Sequence, residues 1–437
     1  MPSPQPAAPA VYWTQQLGAR LVHALLSVQA GLFVVFFAFY YLAAQQLVNA
    51  PMYERDDVFF RADTSRALKD MTGERTQHHV HTTGHPNFVI FNQPLGNYLR
   101  DKIKHAHYGM GKAEAAKPAS IIMTSLAGAG TVALFCALLL AHGLPPLRAG
   151  LFSAVLGCSA TQMFYASTPE TYGFSALGLT AVAFLASRRD LSERWWQAAS
   201  VYAWSMLTTN IALVGIWALA RFWQMPLKTL VVKLVKVMAM TLALTVVISL
   251  IQAAIYPDTK MFFMPSSVAR ESTWLDWTRL QHPVENTRVL LQHLWLSNII
   301  GPEPVRTIMF GKPMASIEAG QWETVLPSLP LLALWAVFLA ATAVSLFQRA
   351  FYRPAILAGL GVLAFNFLFF FVFGNDRMLY AALWTSTSVF VVAAGVELRL
   401  QHRARLAPVA NIALIVLVLG MGWHNWHFLG KLAAAVQ

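Results

Sequence analysis

Three aspartates, Asp56, Asp57 and Asp63, lie within eight consecutive positions, and Arg66 follows Asp63 by three residues. A carboxylate held beside an acceptor hydroxyl is the usual general base for moving a group onto oxygen. If Asp63 opens a helix, Arg66 falls on the same face one turn on, pairing a base with a cation. Asp56 and Asp57 are adjacent and point apart, so at most one of them faces such a site. The order as candidate base is therefore Asp63, then Asp57, then Asp56. The plainer role for Asp63 is as N-cap of a helix Thr64–Met71.

Two short turns carry further candidates. In Ser167-Thr168-Pro169-Glu170-Thr171-Tyr172, Glu170 is either a carboxylate favoured by the dipole of the next helix or a second acid, with Tyr172 beside it. In Gly374-Asn375-Asp376-Arg377-Met378-Leu379-Tyr380, Arg377 needs an anion, which Asp376, a lipid head group or a substrate phosphate would supply. Tyr380 lies one turn on.

The run 78–85 holds four histidines. With no cysteine pair or HExxH spacing nearby, a divalent metal is not expected. His79 and His85 serve better as hydrogen-bonding groups for a phosphate or sugar. No phosphate-cradling glycine loop or nucleophile elbow occurs in a suitable context, so no cofactor is expected.

The elements that must hold these groups are membrane helices. The chain is 57% hydrophobic and only 12% charged, about half the charge of an ordinary soluble domain. Its apolar residues bunch into eleven segments, near 20–48, 118–141, 146–166, 171–187, 195–207, 211–223, 237–256, 326–347, 354–373, 378–397 and 407–428. The expectation is an all-α polytopic protein of about eleven transmembrane helices, a single domain over 1–437. The fifth and sixth segments are short and flank Thr208-Thr209-Asn210. Two helices are kept there, because one long helix would reverse every later basic loop.

With the N-terminus inside, the short inner connections carry fourteen basic residues, from Arg20 and Arg148 to Arg403 and Arg405, and the short outer ones only Arg377 and Lys431. This positive-inside bias accounts for the net charge of +12 without nucleic acid. No cleavable signal peptide is expected. Cys136 and Cys158 sit in apolar runs, so no disulfide framework is expected.

Of twenty acidic residues, only Asp190, Glu193 and Glu397 fall inside, which puts the chemistry on the outer face. No acid sits mid-helix, which weighs against an ion-coupled transporter. The outer face holds two long loops, 49–117 and 257–325. In the first, Gln93-Pro94 opens a helix with Leu95, Leu99 and Ile103 on one face and Arg100, Lys102 and Lys104 on its flanks. It either lies on the membrane plane or packs on other loops. The second, rich in aromatics, is either a lid or an interfacial plug. Gly128-Ala129-Gly130 suits close helix packing.

This arrangement resembles the GT-C superfamily of integral membrane glycosyltransferases, above all uncharacterised bacterial members. The likeness covers nearly the whole chain and rests on Asp63-Thr64-Ser65-Arg66, His85-Pro86-Asn87-Phe88, Pro169-Glu170-Thr171-Tyr172 and Asp376-Arg377-Met378-Leu379-Tyr380. The Asp-Glu pair of protein mannosyltransferases and the WWD motif of oligosaccharyltransferases are absent. The resemblance implies inverting transfer of a sugar from a polyprenyl-phosphate carrier, such as undecaprenyl phosphate, to a glycolipid, polysaccharide or protein acceptor. It implies a first-loop aspartate as base and a bacterial inner membrane with the site facing the periplasm or exterior. Arg66, Arg377 and His85 would steady the leaving phosphate. A flippase for a lipid-linked sugar and a non-catalytic scaffold are the other readings.

Overall fold

The computed structural model describes residues 27–74, 79, 82–317, 328–374 and 376–437. In chain order the helices are α1 (Val28–Ala44), α2 (Thr64–Thr72), α3 (Phe88–Ala106), α4 (Lys112–Ala141), α5 (Pro146–Gly157), α6 (Ala160–Ser167), α7 (Thr171–Ser187) and α8 (Glu193–Met206). There follow α9 (Asn210–Phe222), α10 (Leu227–Ile255), α11 (Pro265–Ser272), α12 (Pro283–Gln292), α13 (Leu329–Ser345), α14 (Pro354–Val372), α15 (Thr385–His402) and α16 (Ala407–Ala435). Between α12 and α13 an antiparallel hairpin pairs β1 (Val305–Met309) with β2 (Lys312–Ser316), with Thr307 opposite Met314. The sequence reading did not foresee this hairpin.

The protein is all-α, and within the described residues each of the eleven apolar segments is mainly helical. Among the described residues, four helical stretches are long and apolar enough to cross a membrane: α4, α10, α14 and Ala404–Ala435. The apolar helices α1, α7, α9 and α13 have 17 residues or fewer, about 26 Å at most, against a hydrocarbon layer of about 30 Å. Among the described residues, four stretches therefore meet the length requirement.

The expected segment 146–166 is two helices. The chain breaks at Cys158-Ser159, where Ser159 caps α6 by accepting from Gln162 N. The freed groups are not orphaned: Ala160 N and Thr161 N donate to the carbonyls of Ile299 and Asn298, and Asn425 Nδ2 donates to those of Cys158 and Ile299. The break between α8 and α9 is real and is held in the same way. Thr208 N donates to Gly84 O, Asn87 N to Ser205 O, and the Asn210 amide to Ser175 and Ala203.

A polar stripe on α10 fixes the first loop. Thr241, Thr245, Ser249 and Gln252 recur at helical spacing and are buried. The Ser249 hydroxyl donates to Asn87 Oδ1 at 2.7 Å, and Gln252 donates to Pro86 O and accepts from Ile90 N. With Gln252 serving Ile90, α3 starts at Phe88, six residues before Pro94, rather than at Gln93-Pro94. Pro94 lies inside the helix. Arg100 is not a flanking residue: it is buried and donates to Thr72 O at 2.5 Å. At the opposite end, Arg148 grips Glu397 with two bonds of 2.6 and 2.9 Å.

Gly128 is required by close approach, because a β-carbon there would collide with Ala166 and the Tyr40 ring. Tyr40 in turn donates to Gly157 O at 2.8 Å. Contacts of this kind lock α1, α4, α5 and α6 together beneath the 51–66 loop.

Candidate active site

The loop from Asp56 to Asp63 is held in an uncommon backbone shape. Asp57, Phe60 and Arg61 have φ of 59°, 54° and 60°. Left-handed non-glycine residues of this sort cost on the order of 1–3 kcal/mol each and persist only where packing imposes them. Here the packing is plain. Phe59 and Phe60 are fully buried, with ring centroids 6.0 and 5.0 Å from Phe164. The edge of β2 clamps the loop: Phe60 N donates to Ala315 O at 3.0 Å, and Ala315 N to Val58 O at 2.9 Å. The turn aims Asp57 and Arg61 into a cavity of about 350 Å³.

Asp63 stands at the N-cap position of α2 but does not cap it. Asp56 performs that role from seven residues upstream, accepting from Arg66 N at 3.0 Å and from the Ser65 hydroxyl at 2.9 Å. Asp63 is thereby free to pair with Arg66 at 2.6 Å, and both line the cavity. Burial works against the Arg66 cation, but Asp63, Glu170, Asp70 and Asp56 outweigh it and hold the charge. Asp57 is pushed above the usual carboxylate range, first by partial burial and then by Asp63 and Asp56, against the pull of Arg61 and Arg55.

Glu170 lies behind Arg66, only 1% exposed. Its Oε1 accepts from Thr171 N (2.8 Å) and the Thr171 hydroxyl (2.9 Å), while its buried Oε2 has no hydrogen-bond partner. Burial raises its pKa to about 7; Arg66 opposes the shift and Asp63 adds to it. The cap role and the acid role expected of Glu170 are both compatible with this position.

The facing wall comes from more distant chain. His85 Nδ1 is 2.8 Å from Met206 O, and the ring stands edge-on to Tyr172, 6.0 Å between centroids. Tyr172 packs edge-on to Tyr380 (5.6 Å), which stacks on Phe370 (4.5 Å). Gly374 has φ +73°, and a β-carbon there would strike the Tyr380 ring, so only glycine fits. Asp376 accepts from the Ser316 hydroxyl (2.8 Å) and Met378 N (2.9 Å), and burial raises its pKa. From the second long loop come Arg270, Glu271, Trp274, Met309 and Phe310. These residues of that loop wall the cavity.

Of the expected site residues, Asp57, Asp63, Arg66, His85, Tyr172 and Tyr380 line this cavity, and Glu170 backs it. Three do not line it. Asp56 is spent on the helix cap. His79 is buried against Asp70, Nδ1 to Oδ1 2.7 Å. Arg377 donates to Asn286 Oδ1 at 3.1 Å rather than pairing with Asp376. Burial and the neighbouring Arg279 lower its pKa to about 10. His78 and His81 lie outside the described residues. Among the described residues no three His, Cys, Asp or Glu side chains gather as a metal site.

Sequence reasoning missed Arg61, Arg270, Glu271 and Trp274 as cavity residues. Their neighbours carry no spacing signal, and only the long-range docking of the two loops reveals them. A second, apolar groove of about 530 Å³ runs between α12–Ile300 and helices α13, α14 and α15, with Arg288 and Gln292 among its few polar residues. No family model matches the chain, and a search of curated proteins finds no match.

Proposed function

We propose that the protein is an inverting glycosyltransferase that moves a sugar from a polyprenyl-phosphate carrier to an acceptor hydroxyl at the outer face of a membrane, in a bacterium the periplasmic face of the inner membrane. The observation that carries this reading is the Asp63–Arg66 pair on the wall of a cavity lined by charged and aromatic residues at the helix ends, with the buried Glu170 behind it.

In this scheme an Asp63 carboxylate oxygen removes the proton of the acceptor hydroxyl. The acceptor oxygen attacks the anomeric carbon from the face opposite the carrier. The bond from that carbon to the phosphate oxygen breaks, its electrons stay on the phosphate, and the configuration inverts. Arg66 and Arg61 stabilise the negative charge on the departing phosphate. Asp57 stays close enough to Asp63 to discourage a second charge. The apolar groove beside α12 suits a long isoprenoid chain, since a bilayer substrate needs a lateral opening.

The boundary of loops and helix ends, with no acidic residue beyond the first turn of the four helical stretches long enough to cross a membrane, supports transfer at a surface over passage through a bundle. The test is a reconstituted assay with purified protein, a polyprenyl-phosphate hexose and candidate acceptors, with NMR of the product anomer. Transfer with inversion supports the reading. Carrier movement between leaflets without any new glycosidic bond would favour a flippase.

A further inference from the structure

Glu271 and Trp274 are among the cavity groups for which the scheme above has no use. Both come from the end of α11 and the residues after it. Glu271 is held by a hydroxyl rather than a cation: Thr83 donates to its Oε1 at 2.6 Å. A β-carbon built on Gly84 would lie 3.6 Å from both carboxylate oxygens, so the carboxylate rests against bare backbone. Trp274, three residues on, is 45% exposed at the same cavity.

The pair is anchored on two sides. Thr82 clips the loop through the Lys260 backbone, donating to its carbonyl and accepting from its N–H at 2.7 Å each. Gly374 N donates to Trp274 O at 3.0 Å, and Asp276 N donates to Val372 O.

A carboxylate with one oxygen uncommitted, set beside an indole, matches one face of a sugar. Hydroxyls donate to the carboxylate, and the apolar C–H face covers the ring. The charges lining the cavity are nearly balanced, with Asp57, Asp63, Glu271 and Asp376 facing Arg61, Arg66 and Arg270. That balance favours a neutral polyhydroxylated ligand over a cation.

We propose that Glu271 and Trp274 form a carbohydrate-recognition clamp that selects a neutral hexose by a hydroxyl pair. The proposal rests on the glycosyltransferase reading for its choice of ligand. The probes are methyl hexopyranosides and their 2-amino-2-deoxy counterparts, titrated by saturation-transfer NMR into the full chain in nanodiscs.

Glu271→Gln keeps an acceptor for Thr83, and its melting temperature reports whether the loop stays docked. It should weaken neutral hexoside binding about ten- to a hundredfold, the worth of one hydrogen bond to a charged group. Trp274→Ala should weaken it as well. Thr83→Val, which cuts the tie but keeps the carboxylate, should change it little. Equal losses in Thr83→Val and Glu271→Gln would assign the effect to loop docking and overturn the clamp. Tighter binding of the aminohexosides would overturn it in favour of a cation site. Glu271-dependent hexoside binding without any transfer would keep the clamp and remove the transferase. Transfer with an unchanged KM in Glu271→Gln would remove the clamp alone.

Discussion

At the scale of single residues, the carboxylates divide by what holds them. Asp56 is committed to the backbone of α2, Asp63 to Arg66, and Glu170 to Thr171 with one oxygen left over. If Asp63 is the base, Asp63→Asn should fold and bind donor while turnover falls by roughly 10²–10⁴. Because Asp56 supplies the cap, no helix loss should confuse that result. Single-turnover kinetics with a polyprenyl-phosphate hexose measures it, and normal turnover in Asp63→Asn with loss in Asp57→Asn would transfer the role to Asp57. Glu170 makes a pH prediction. Its folded pKa of about 7 lies above the roughly 4.3 of a free glutamate, so folding favours its protonated form. Its contribution is most favourable below about pH 4.3 and is lost as pH rises through 7. Thermal unfolding in detergent should therefore find Glu170→Gln more stable than the wild type at pH 8.5, with the gap narrowing towards pH 5.5. A gap independent of pH would mean that Glu170 is charged throughout.

At the scale of elements, the hairpin is the part that organises the reactive loop. Ala315 reaches Val58 and Phe60 from about 255 positions away, and these bonds sustain left-handed backbone at Asp57, Phe60 and Arg61. Ala315→Pro removes the N–H that donates to Val58 O on the side of β2 away from β1. It should leave membrane insertion and helix content unchanged while lowering activity and exposing the 57–62 turn to protease. Limited proteolysis with a parallel activity assay tests this; an unaltered cleavage pattern with full activity would show that the turn holds itself. Such docking has no signature in local spacing, because β1 and β2 are short and sit in a loop whose aromatics dominate its pattern. The break at Cys158-Ser159 was hidden for a similar reason. Ser159 and Gln162 look apolar-compatible in the chain, and only the carbonyls of Asn298 and Ile299 make the interruption inexpensive.

For the whole molecule, both long loops contribute to one cavity, so they share a side, and the Arg148–Glu397 pair marks the other end. Cysteines introduced at the exposed Tyr108 and Ser266 should react with an impermeant thiol reagent in intact cells, and one at the exposed Arg405 should react only after the membrane is opened. The native Cys136 and Cys158 are buried and should stay silent. Protection at both Tyr108 and Ser266 would reverse the orientation and with it the proposed outer-face chemistry.

The sequence by itself determined the helical class and the apolar helices suited to a membrane. Those follow from composition and from apolar run length, which are local or additive along the chain. It also singled out Asp63 with Arg66, since a three-residue spacing on a helix is a local fact. Tertiary structure alone decided which of these residues meet. Arg377 turned to Asn286, His79 to Asp70 and Asp56 to a helix cap, while Arg61, Arg270, Glu271 and Trp274 entered the cavity unannounced. A side chain's partner depends on which distant backbone packs against its own. Here that was set by buried polar ties such as Ser249–Asn87 and Thr83–Glu271, which join positions 162 and 188 residues apart and leave no periodic trace in the chain.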